Sequence, residues 1–199
     1  MADWDKDSPE LQENLKRVLT GIRDEARRRV LPSLDLARRW HKDTMQGLAV
    51  PDPALVGAFR GERGLERKQV HVGPNFGVPA NGVNAALSEF EGTLRAAVQR
   101  LDELIPPESE LDEDRFMAVL TLCAWVHAEW VRIHPFVNGN GRVARLWVNS
   151  LAMRHGLPPF LQARPRPTGD YELAGVRAMH GDWAATIPVL RRLYDEFTT

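Results

Sequence analysis

The sequence predicts an all-α domain carrying one small β-hairpin. Apolar residues recur at helical spacing through most of the chain. Only residues 68 to 78 read as strands. No internal repeat, low-complexity segment or second compositional zone interrupts the 199 residues, a length that supports one domain with a sizeable core. With 43% hydrophobic and 27% charged residues, the chain has the balance of a folded globular protein rather than a disordered one. A formal net charge of −1 supplies no field to attract nucleic acid or an anionic membrane. The single cysteine, Cys123, allows no disulfide within the chain and fits a reducing compartment. The start, MADWDKDSPE, is acidic and polar, unlike a signal peptide. No uninterrupted apolar run approaches the roughly 20 residues of a membrane span. The expectation is a cytoplasmic protein with neither nucleic acid nor membrane as partner.

Residues 1 to 7 read as a frayed end. Ser8 and Pro9 then form an N-cap and first helical residue, and Leu11, Leu15, Val18, Leu19 and Ile22 make the apolar stripe of a helix to about Arg29. Pro32 stops it, and Ser33 starts a second helix through Leu34, Leu36, Ala37 and Trp40 to about Met45. These N-terminal helices, residues 1–48, are expected to pack on a core made by residues 49–199, one compact unit overall. Residues 51 to 67 suggest a short helix and a loop rich in Gly, Arg and Glu. Val70 and Val72, the turn Gly73-Pro74-Asn75 and a short strand from Phe76 to Val78 make the hairpin. A hairpin alone is marginal, so it should lean on the helical body.

Val83, Ala86, Leu87, Phe90, Leu94 and Val98 give the apolar face of a helix over 80–104, ended by Ile105-Pro106-Pro107. The most apolar helix runs from Asp112 to about Ile133 and is expected at the centre of the core. Another runs from about Gly141 to His155, where Gly156 and Pro158-Pro159 stop it. Two more are expected over 170–179 and from Asp182 to Phe197.

Residues 134 to 145, HPFVNGNGRVAR, concentrate the chemistry. A glycine-rich turn ahead of a helix presents unpaired backbone N–H groups to an anion, and the helix dipole favours negative charge there. Arg142 and Arg145, three residues apart, lie on one side of the first turn with planar guanidinium groups suited to phosphate. His134 just upstream is the residue type that accepts a proton near neutral pH. The segment reads as a phosphate cradle with a general base at its lip.

This segment resembles the Fic motif, HPFx(D/E)GNGRxxR. His134, Pro135, Phe136, Gly139, Asn140, Gly141, Arg142 and Arg145 match; Asn138 stands where the family has Asp or Glu. The resemblance implies a Fic-like helical bundle whose β-hairpin flap, here Val70, His71 and Val72, docks a target segment by strand pairing. It implies a protein adenylyltransferase, with ATP as donor and Mg²⁺ as cofactor. His134 would take the proton of a target Ser, Thr or Tyr hydroxyl. Asn138, Gly139, Asn140, Gly141, Arg142 and Arg145 would bind the nucleotide, Arg145 at the γ-phosphate, while Pro135 and Phe136 would be structural. Asn138 would stand at the metal position with an amide oxygen and no charge. That leaves two alternatives open: transfer of another phosphate-containing group, or a nucleotide-binding module of weak activity. The family's inhibitory pattern, (S/T)xxxE(G/N), has a near match in PELQEN, making Glu13 a candidate inhibitory residue beside a separate antitoxin-like partner. Of the other histidines, His127 is expected to be a core residue, and His41, His155 and His180 show no metal spacing.

Overall fold

The structure is a computed structural model that describes residue 4 and residues 8–199. Helix α1, Pro9–Arg27, opens where Ser8 Oγ accepts the Leu11 N–H at 3.1 Å, and helix α2, Leu34–Met45, opens on the matching Ser33–Leu36 cap at 3.3 Å. A short 3₁₀ turn at Pro53–Leu55 is all the helix found in the stretch before the hairpin. Strands β1, His71–Val72, and β2, Asn75–Phe76, pair antiparallel with His71 opposite Phe76 and Val72 opposite Asn75. The expected three-residue turn is therefore a two-residue loop, Gly73-Pro74, and Asn75 joins the ladder. Val78 leaves it, because its N–H donates instead to Arg132 O at 3.3 Å.

Helices α3, Ala80–Leu104, α4, Glu113–Ile133, α5, Asn140–Arg154, α6, Asp170–Met179, and α7, Thr186–Thr198, complete the described chain. The last begins later than the expected Asp182. The Asp182 carboxylate accepts the Ala185 N–H at 3.4 Å, holding residues 182–185 in a turn. The expected frayed end is corrected at Trp4, which is buried against Met45, Leu55 and Leu65; residues 1–3 and 5–7 lie outside the described residues.

Helix α4 is the axis of the bundle. Helices α3, α5, α6 and α7 all pack against it, and α1 and α2 reach the core by packing on α5. Its length of 21 residues and mean hydropathy of 1.3 would suit a membrane span, but 61% of that apolar window is buried inside the fold, as in a core helix. The centre is aromatic: Trp130 and Trp147 meet edge-to-face with centroids 6.0 Å apart, Phe90 contacts both rings, and Trp40 of α2 lies 4.7 Å from Trp147. Such pairs add to the burial of their large apolar areas. They fix the end of α4 against α5, and the HPFVNGNGR segment runs through the loop between the two helices into the first turn of α5.

Candidate active site

His134 closes α4 in the left-handed region, φ 52° and ψ 55°, and donates its N–H to Trp130 O at 3.0 Å. Phe136 is fully buried, stacked on the His41 ring at 4.0 Å and tilted against Phe59 at 4.9 Å. Asn140 then folds the loop back. Its Oδ1 accepts the Phe136 N–H and its Nδ2 donates to Phe136 O, both at 2.8 Å. The Asn140 carboxamide is therefore committed to the loop, and its backbone N–H opens the first turn of α5.

Helix α5 starts behind Gly139, whose φ of 80° suits glycine. A Cβ at Gly139 would also crowd Met45 Cε at 3.0 Å and Arg142 Nη2 at 3.2 Å. The N–H groups of Asn140 and Gly141 have no acceptor among the described residues, as expected for the first turn of a helix. Arg142 and Arg145 are both 3% exposed. Arg142 rests on Met45 Sδ at 3.7 Å. Arg145 holds Ala163 O at 2.9 Å and the Tyr171 hydroxyl at 3.4 Å.

His134 is held as a single neutral tautomer. Its Nδ1 lies 3.0 Å from Val131 O, which can only accept, so in the neutral ring Nδ1 carries the proton and Nε2 keeps its lone pair. Burial lowers its pKa to about 4; the bond to Val131 opposes this and the Arg60 charge reinforces it. At neutral pH the imidazole is therefore uncharged, the form a general base requires.

One cavity of about 660 Å³ collects these groups. The hairpin residues Val70 to Asn75 form one wall, His127, Val131 and His134 of α4 another, and residues 137–142 with Arg145 the floor. Arg164, Arg166, Tyr171 and Glu172 close the far side. His71 and Val72 are exposed while Val70 is buried, so the hairpin offers its outer residues and anchors through its stem.

Three contributors were not legible as site residues. His41 accepts the Gly57 N–H on Nδ1 at 2.9 Å, so its Nε2 donates to Asn138 O at 3.1 Å and steadies the loop. Tyr171 joins His127 Nε2 at 2.7 Å to Arg145. His127 is a buried core histidine bonded through Nε2, but it also lines the cavity. Arg60 is the third and is taken up below. Glu13 is not brought to the cavity: it is an exposed residue of α1 paired with Lys16 at 3.6 Å.

The donor set does not fit a magnesium ion held by the protein. Asn138 supplies an uncharged amide whose Oδ1 already accepts the Gly139 N–H at 2.5 Å. The carboxylate on the cavity wall, Glu172, pairs with Arg166. No group of three His, Cys, Asp or Glu suited to a metal occurs among the described residues. Magnesium prefers carboxylate and phosphate oxygens, and the wall's one carboxylate among the described residues is already paired.

A neutral imidazole and the N-terminus of α5, with its two buried arginines, thus line one cavity. Residues 32–152 match the model of the Fic/DOC family, and the chain belongs to that family. It is 34% identical over 110 residues to the protein adenylyltransferases Fic of Culex quinquefasciatus and Drosophila persimilis, matches that cover 55% of this chain and 18% of each relative. The chain thus spans about a fifth of the length of these relatives. Its fold resembles that of a Fic-domain signaling protein from Bacteroides thetaiotaomicron, with a TM-score of 0.65, 20% identity, and coverage of 95% of this chain and 70% of the other.

Proposed function

We propose that the chain transfers AMP from ATP to a Ser, Thr or Tyr hydroxyl of a target protein. The observation that carries this reading is the lone pair on His134 Nε2 facing the same cavity as the open N–H groups of Asn140 and Gly141. The names of the relatives support it. Nε2 takes the hydroxyl proton, the oxygen bonds to the α-phosphorus, and the bond to the bridging oxygen breaks to release pyrophosphate. The N–H groups and the helix dipole stabilise charge that grows on the α-phosphate, while Arg142 and Arg145 hold the rest of the triphosphate. The exposed edge of the hairpin docks the target segment.

Restraint by a separate antitoxin-like protein fits this reading better than restraint by Glu13, which lies outside the cavity. The amide at Asn138 favours a second reading, a nucleotide-binding module with weak transfer or one that moves another phosphate-containing group. Mass spectrometry of proteins incubated with ATP and Mg²⁺ separates them. One added AMP supports adenylyl transfer and one added phosphate supports the other chemistry. ATP binding with no mass gain sinks both transfers. His134→Ala should lower labelling by roughly 10²–10⁴ with the fold retained by circular dichroism; full labelling by that variant would sink the role of His134.

A further inference from the structure

Arg60 is fully buried, and no carboxylate faces it among the described residues. Its guanidinium meets four carbonyl oxygens instead. Nε donates to His134 O at 2.8 Å, Nη2 to Ile133 O at 2.9 Å and Val78 O at 2.8 Å, and Nη1 to Lys68 O at 3.2 Å. Its backbone N–H donates to Pro135 O at 2.7 Å. Burying a charge without a counter-ion is costly, and an apolar side chain of similar volume would fill the space more cheaply. Packing alone therefore does not account for an arginine here.

The partners come from two places. Ile133 and His134 carry the last carbonyls of α4, which lack helical partners and sit at the negative end of the helix dipole, where a cation is favoured. Lys68 and Val78 are the two stems of the hairpin. Gly77 makes their approach possible: a Cβ there would lie 2.7 Å from His134 Cβ, 3.0 Å from Arg60 Nη2 and 3.2 Å from Ile133 O. Hairpin and base thus share one buried fastening.

We propose that Arg60 is a positioning residue that locks the hairpin to the backbone of His134, so that a docked acceptor segment and the base share one frame. The proposal rests on the adenylyl-transfer reading for its catalytic consequence, whereas the mechanical coupling stands apart from it. Lysine cannot replace the planar fork, because a single ammonium cannot span four carbonyls arranged around a plane.

The test uses the full chain, with Arg60→Met, Arg60→Lys and Gly77→Ala, in two measurements. Deuterium exchange read by mass spectrometry should accelerate together in residues 68–78 and 132–136, with α1 and α7 as protected as before. Steady-state labelling should show kcat down by about 100-fold, the cost of a small misplacement of reacting groups, with KM for ATP unchanged; Arg60→Lys should fall between. If Arg60→Met loses protection in α1 and α7 as well, Gly77→Ala decides, since it keeps Arg60 and presses the hairpin away from His134. Loosening confined to the hairpin, or an unchanged kcat, overturns the proposal. If the unaltered chain labels no protein, the transferase reading has failed, and exchange alone decides the coupling.

Discussion

The Asn140 carboxamide pairs with both backbone groups of Phe136, each at 2.8 Å, and so closes the loop between His134 and α5. Both bonds are buried. Asn140→Ala leaves a buried N–H and a buried C=O without partners, which should cost about 2–4 kcal/mol of stability. Urea unfolding measures this. A loss under about 0.5 kcal/mol, the scale of an ordinary surface substitution, would mean that the clamp is dispensable.

The burial of His134 sets where activity meets acid. With a pKa of about 4, the imidazole is protonated only below that value. Labelling should hold from pH 7 to about 5 and fall as the pH drops through about 4. An acid limb near 6.5, the ordinary value for histidine, would show that the base is solvated when it works.

His41 is likewise lowered to about 4 and His127 to about 3, in each case mainly by burial. Above pH 6.5 these two and His134 are neutral in both folded and unfolded chains and add no pH dependence. Below it, the unfolded chain binds protons that the folded chain refuses. Stability should therefore fall with pH, by up to about 1.4 kcal/mol per unit for each histidine, until the folded pKa is reached. Urea unfolding at pH 7, 6 and 5 checks the slope, and His127→Gln should reduce it by one such increment. A flat profile over this range would contradict the burial of these rings.

Asn138→Asp places a carboxylate beside the cavity floor. Because magnesium binds through carboxylate and phosphate oxygens together, this variant should reach half-maximal labelling at lower Mg²⁺ than the unaltered chain. An unchanged Mg²⁺ dependence would remove residue 138 from the metal's surroundings.

Local signals carried much of this fold. Ser8 and Ser33 announce the starts of α1 and α2 because each hydroxyl caps its own helix a few residues on. The apolar run of α4 marks it as core, and Phe116, Val119, Leu120, Cys123, Val126 and Trp130 along it are all buried. The site was legible where its parts are contiguous, from His134 to Arg145. It was illegible where distant segments meet. Arg60 stands in GAFRGER, which reads as a solvated loop, and nothing nearby reveals that carbonyls from residues 68, 78, 133 and 134 will surround it. His41 reads as one more residue of an amphipathic helix until Gly57 and Asn138 close on its two nitrogens. The motif places Asn140 in the cradle by its backbone, while the tie of its carboxamide to Phe136 depends on how the loop folds back.

The left-handed backbone at His134 bears on how this site would be lost. Helices commonly end in that conformation on glycine, and a Cβ there carries about 1–2 kcal/mol of strain. The chain holds an imidazole at a place where its backbone would rest more easily on no side chain at all. On the proposed reading of His134 as the base, His134→Gly should therefore end transfer while leaving the chain at least as stable as before.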